Sequence, residues 1–233
     1  MANVQLTWLG HAAFRFDTPG GKRVYVDPFL DNPKCPENEK DPERADVLVV
    51  THGHGDHVGS SVVIGKRHSP KVVAIVELAT WLEWQGVPGA GDLGMNKGGT
   101  VDVEGIKFTM THAVHSSGFV GEDSITYLGD PAGFVIEAEN GTKLYFAGDT
   151  DVFGDMELIG RLYEPDVAVL PIGDHFTMSP KQAAVALELL GVKRCLPCHY
   201  GTFPVLTGTP DELRALAPDV EVITPEPGET IEL

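Results

Sequence analysis

Three observations place this sequence in the α/β class, with mixed sheets and helices outside them. Short apolar, β-branched runs alternate with segments of helical spacing. Glycine and proline clusters punctuate them. Residues able to do chemistry fall just past the carboxyl ends of the apolar runs, as at Asp46-Val47-Leu48-Val49-Val50, which leads into Thr51-His52-Gly53-His54-Gly55-Asp56-His57.

Taken in order, Val4 to Val26 reads as a meander of short strands. Phe14 and Phe16 alternate around Arg15, Val24 and Val26 around Tyr25, and the turn Thr18 to Gly21 lies between. Leu30 to Arg44 is rich in proline and charge and predicts an irregular loop, a rim or lid near the histidine-rich stretch. Val58 to His68 predicts a short helix and loop, with His68 facing solvent beside Lys66 and Arg67. Lys71 to Val76 predicts a buried strand, and Glu77 to Gln85 a helix stopped by Gly86. Gly89 to Gly99 predicts a flexible loop, followed by strands over Val101–Ala113, Ile125–Glu139 and Lys143–Ala147. Met156 to Tyr163 is helical, and Asp166 to Leu170 repeats the character of Asp46 to Val50. Each of these two runs leads into Gly-Asp-His, at Gly55 to His57 and at Gly173 to His175, a weak echo of two halves delivering strand ends to one cleft. Ser179 and Pro180 open a helix that Gly191 stops, Arg194 to Tyr200 is a strand, and Thr209-Pro210 opens the last helix. Without a linker or low-complexity tract, residues 1–233 are expected to form one domain.

Composition limits the partners. With 34 acidic and 17 basic residues the net charge is -17, so the chain repels phosphates and disfavours nucleic-acid or anionic-membrane binding. Three cysteines give no disulfide framework, and Met1 to Leu6 carries no basic start followed by an apolar stretch. A cytoplasmic protein is expected, with a homo-oligomer left open. Cys195 and Cys198 look like a redox pair, but an odd spacing in a strand sends the two thiols to opposite faces.

The chemistry centres on Thr51 to His57. One histidine there could be incidental; three with an aspartate predict a metal site, since imidazole and carboxylate suit zinc, iron or manganese. Further ligands are sought at strand ends, at His112 or His115, at Asp149 after Gly148, and at His199. Spacing does not choose between His112 and His115.

This order of motifs resembles the metallo-β-lactamase superfamily over most of the chain: a His-x-His-x-Asp-His loop, a later histidine, Gly148-Asp149-Thr150 and a final histidine. Trp8-Leu9-Gly10-His11, Ile172-Gly173-Asp174-His175 and His199 to Phe203 are similar, more narrowly, to its UlaG-like branch, which contains ascorbate-phosphate lactonases and other metal-dependent hydrolases. The resemblance implies a four-layer αβ/βα sandwich of two mixed sheets flanked by helices. It implies one metal held by His52, His54 and His115 and a second by Asp56, His57 and His199, with Asp149 bridging. The family's His-Ser-Ser pattern at His115 to Ser117 favours His115 over His112.

Two divalent ions, zinc first with manganese or iron as alternatives, would present a bridging hydroxide to a small ester. Asp56 would help orient that nucleophile, and His175 would donate a hydrogen bond or proton to the leaving group. His11 and Asp27 would support the ligands or serve structure alone. The expected substrate is a small, anionic ester such as a sugar lactone or phosphodiester. Rival readings are an iron-dependent redox enzyme on the same fold, a nuclease and a binding protein with a vestigial site.

Overall fold

A computed structural model describes residues 3–233; Met1 and Ala2, where the expected single unit begins, lie outside them. The chain opens with β1 (Gln5–Trp8), β2 (Phe14–Asp17) and β3 (Arg23–Val26), then β4 (Val47–Val49), helices α1 (Gly55–Val58) and α2 (Ser61–His68), β5 (Lys71–Val73) and α3 (Val76–Trp84). The middle carries β6 (Thr100–Val103), β7 (Ile106–His112), β8 (Gly118–Val120), β9 (Ile125–Tyr127), β10 (Ala132–Glu137) and β11 (Lys143–Phe146). The last third runs α4 (Met156–Tyr163), β12 (Val167–Pro171), α5 (Pro180–Leu190), β13 (Arg194–Cys198), α6 (Pro210–Leu216), β14 (Glu221–Val222) and β15 (Thr230–Glu232).

Two mixed sheets result, ordered β15-β1-β2-β3-β4-β5 and β14-β13-β12-β11-β10-β7-β6. In the first, β1 to β3 pair antiparallel and β3 to β5 parallel; in the second, β11 to β14 are parallel. The parallel strands β4 and β12 are buried throughout, which is why their sequences are apolar runs without alternation. The sheets meet face to face. Phe146 packs edge-on against Phe14 and stacks on Phe16, with centroids 5.6 and 6.2 Å apart. A second core lies on the far side of the second sheet, where Tyr145, Ala168 and Leu170 meet Met156, Ala183 and Leu187 of α4 and α5. This is the sandwich with outer helices that the sequence predicts.

Helix boundaries follow local chemistry. Ser179 and Gln182 form a reciprocal capping box on α5, with Pro180 in the first turn and Gly191 left-handed at its end; Thr209 and Glu212 repeat the box on α6. Cys195 lies in the helix-side core and Cys198 in the inter-sheet core, so the thiols are separated as the strand period requires.

Several expectations are corrected. The run Val101–Ala113 is a hairpin, broken at Glu104 and Gly105, both at positive φ. The run Ile125–Glu139 divides at Gly129, also at positive φ, and its first part pairs with β8 in a separate two-stranded hairpin. Leu30 to Arg44 is tethered: the buried Asn32 amide donates to the carbonyls of Leu9 and Phe29, at 3.0 and 2.6 Å, and Glu39 accepts from Arg15. Gly89 to Gly99 holds a short 3-10 turn with Ala90 fully buried. His68 is half-buried, with Nε2 2.9 Å from the Pro42 carbonyl.

Candidate metal centre

Within each sheet the parallel strands point the same way, so the loops after β3, β4, β11, β12 and β13 leave from carboxyl ends. They converge. His52, His54 and His115 place nitrogen atoms within 4.8 Å of one another. So do His52, His57 and Asp149, and so do His11, Asp56, His57 and His199. Asp149 Oδ2 sits among three imidazoles, 3.2 Å from His57 Nε2, 3.1 Å from His199 Nε2 and 3.7 Å from His115 Nε2. All seven residues expected as ligands are thus brought together.

The stretch that delivers most of them is part loop, part helix. His54 precedes α1, and Asp56 and His57 lie within it. Gly53 is required by crowding: a Cβ there would lie 2.8 Å from Leu128 Cβ and 3.0 Å from the Ser117 carbonyl. Gly55 has no such reason, since a Cβ there meets nothing within 4 Å. Of the two, only Gly53 is held by its packing.

Outer contacts fix the side chains. Asp27 accepts from the Thr51 amide and hydroxyl at 2.8 and 2.7 Å, and its Oδ2 lies 2.8 Å from His57 Nδ1. That contact assigns the His57 proton to Nδ1 and leaves Nε2 with a lone pair facing the cluster. His11 Nε2 lies 3.0 Å from Asp56 Oδ2. Ser116 Oγ lies 3.2 Å from His54 Nε2, and Ser117 Oγ accepts from the Gly53 amide, tying the His115 loop to the His52 loop. The serines beside His115 are functional neighbours that sequence reasoning used only as a pattern.

The buried atoms lack partners. His57 Nε2, both ring nitrogens of His199, Asp149 Oδ1 and His11 Nδ1 have no hydrogen bond of acceptable geometry. For His57 and His199 the short approach to Asp149 is a charge contact rather than an aligned bond. An unprotonated imidazole lone pair aimed at a carboxylate is repulsive unless a proton or cation lies between them. The donor set therefore fits a metal.

Without an ion, the imidazoles themselves answer the Asp149 charge by taking up protons. Burial works against the charged form of Asp149, yet His199 and His57 hold its carboxyl well below the usual range. Burial likewise opposes, and Asp149 reverses, the shift at His199, which is pushed up to about 9; His57 rises for the same reason with Asp27 adding. Burial lowers His52, and lowers His11 to about 4. Asp56 is held low, against burial, by His11 and His199, and its side chain keeps 34% exposure, the cluster's carboxylate opening to solvent.

Backbone strain concentrates here. Of the eight described non-glycine residues at positive φ, five are His11, Asp27, Asp174, His175 and His199 on the converging loops. Each costs roughly 1–3 kcal/mol and is retained where surrounding contacts over-determine it. His175 itself stands outside the cluster. It is exposed, its ring lies edge-on to Phe176 at 4.4 Å, and its turn abuts His199 through Gly173, whose Cβ would fall 2.0 Å from the His199 carbonyl. His112 is also outside, exposed at the end of β7 against Phe153 and Lys97. Geometry thus puts His115, and not His112, in the cluster. Among the described residues no helix is long and apolar enough to cross a membrane.

A model of the beta-lactamase superfamily domain matches residues 22–200. A UPF0173 metal-dependent hydrolase of Koribacter versatilis is 49% identical over 231 residues, covering 99% of this chain and 98% of that protein. A protein of the same description from Herpetosiphon aurantiacus is 46% identical over 235 residues, covering 98% of each. Among solved structures, Igni18, a metallo hydrolase from the archaeon Ignicoccus hospitalis, superposes with a TM-score of 0.88 at 35% identity, covering 100% of this chain and 99% of that one.

Proposed function

This chain belongs to the beta-lactamase superfamily and is a metal-dependent hydrolase, and from there we propose that it cleaves a small ester, a lactone or phosphodiester, at a dinuclear centre. His52, His54 and His115 would hold one ion and Asp56, His57 and His199 the other, with Asp149 shared. The observation that carries this is Asp149 Oδ2, buried within 3.1 to 3.7 Å of three imidazole nitrogens that belong to both sets. Histidine and carboxylate without cysteine favour zinc, with manganese or iron as alternatives.

A metal held by these residues would supply a bound water of lowered pKa and a polarising charge for a substrate oxygen. The protein's own residues do the rest. Asp27 keeps the His57 tautomer that offers Nε2 to the cluster, and His11 orients Asp56. Asp56, the carboxylate with solvent access, stands where it can orient an attacking water. His175, exposed on the neighbouring turn, donates a proton to the leaving group. The Trp8 to His11 and His199 to Phe203 signatures support a UlaG-like placement within the superfamily. Three unpaired, buried cysteines support a reducing, cytoplasmic setting, and ligands drawn from both sheets support one catalytic unit across the chain.

Elemental analysis of protein purified without added metal, with turnover of a lactone and a phosphodiester, tests the reading. Two ions per chain are expected, and Asp149→Ala should lose both metal and turnover. Full turnover after complete chelation overturns it.

A further inference from the structure

The rings of His52, His54 and His57 each have an outer partner, Thr51 Oγ1 at 3.0 Å, Ser116 Oγ at 3.2 Å and Asp27 Oδ2 at 2.8 Å. His115 differs. Among the described residues none hydrogen-bonds its ring, which lies against those of His52 and His54 and 3.7 Å from Asp149 Oδ2. The place of this imidazole is therefore set by its backbone.

Two clamps hold that backbone. On the carboxyl side Ser117 Oγ accepts from the Gly53 amide at 3.0 Å, and the Ser117 carbonyl from the Leu128 amide at 3.2 Å. On the amino side Thr150 Oγ1 accepts from the Val114 amide at 2.9 Å, and the Asp151 amide donates to the Val114 carbonyl at 3.1 Å. His115 is thus slung between the loop of His52 and the loop of Asp149.

Thr150 is fully buried, and its own groups meet at a junction. Its hydroxyl donates to the Asp151 carbonyl at 2.6 Å, which uses its one proton and leaves a lone pair for the Val114 amide. Its carbonyl accepts from the Met178 amide at 3.2 Å, and Met178 closes the turn that carries His175 by accepting from the Asp174 amide at 3.0 Å. The residue after the shared carboxylate therefore touches both neighbouring loops.

We infer that Thr150 is a positioning residue for the centre: through the Val114 amide its hydroxyl fixes His115 relative to Asp149, and so governs how firmly the ion assigned to His52, His54 and His115 is held. This rests on the dinuclear reading above. A valine of the same shape would fill the space but offer the Val114 amide a methyl group. That amide would turn to solvent, which the 43% exposure of Val114 allows, while the Asp151 bond to its carbonyl remains. The clamp would loosen without the fold being lost. Metal affinity depends on such outer contacts, because a ligand that wanders must be ordered again when the ion binds.

The test follows zinc released from the metal-loaded protein by a competing chelator, which gives an affinity for each ion. Thr150→Val should weaken one ion roughly 10- to 100-fold and the other by less. Thr150→Ser, which keeps the hydroxyl, should release both as the wild type does. Thr150→Cys, a weaker acceptor in the same place, should fall between them, and it takes the place of valine if that protein does not fold. In a His115→Ala background Thr150→Val should cost less than about twofold more, because the hydroxyl then has no ligand to position. Two ions held by Thr150→Val as tightly as by the wild type overturn the inference and leave the dinuclear reading standing. So does an equal loss of both ions that persists in the His115→Ala background, which would mark Thr150 as a support of the fold alone. A wild-type protein that binds fewer than two ions overturns both.

Discussion

The tripeptide Gly-Asp-His occurs twice, each time after a buried parallel strand, and the two copies have opposite fates. At Gly55 to His57 it forms a helical turn, and His57 is wholly buried between Asp27 and Asp149. At Gly173 to His175 it forms a left-handed turn, Asp174 at φ 63° and His175 at φ 58°, with both side chains exposed. Identical residues at equivalent places in the sequence therefore serve different ends. The difference teaches that a residue is drawn into the cluster by what surrounds a strand end. Asp27 holds His57 of the first copy inward, whereas the His199 carbonyl packs under Gly173 of the second, whose side chains face solvent.

The strongest way to test that contrast is to remove each imidazole. His57→Ala should abolish turnover by about a thousandfold or more and release metal, and it should leave Asp27 and Asp149 buried without their partner. His175→Ala should keep both ions and lower kcat by roughly a hundredfold, the scale of a lost general acid. Metal analysis beside steady-state kinetics separates the two. Loss of metal from His175→Ala, or retention of it by His57→Ala, would erase the distinction between the two copies.

The glycines sharpen the comparison with smaller effects. Gly173→Ala forces a Cβ into the His199 carbonyl, and about 2 kcal/mol or more of stability should be lost in denaturant unfolding. Gly55→Ala meets open space in a helical turn and should leave metal content unchanged while raising stability by about 0.5 kcal/mol. A destabilised Gly55→Ala would show that the first copy needs its glycine for a reason the packing does not reveal.

The alternation around Arg15, the apolar runs at Val47 and Val167, and the helix starts at Ser179 and Thr209 were legible in the sequence, because strand period and helix capping are local, whereas Tyr25 is buried like Val24 and Val26 beside it. The turn at Glu104 and Gly105 was missed although Gly105 marks it, because a lone glycine in a strand pattern fits a bulge as well as a reversal. The place of His68 was not legible either, since its contact with Pro42 depends on a loop 26 residues away.

The sequence by itself determined the class of fold, the acidic balance and the pool of histidines and aspartates from which a metal centre could be drawn. The tertiary structure decided which of them lie together. It chose His115 over His112, set His57 inside and His175 outside, joined His11 to Asp56, and seated Asp149 among imidazoles from three separate loops. The physical reason is range. Backbone propensity and hydrophobic period act over a few residues, whereas a centre forms where two sheets, packed through Phe14, Phe16 and Phe146, bring distant strand ends within a few ångströms of one another.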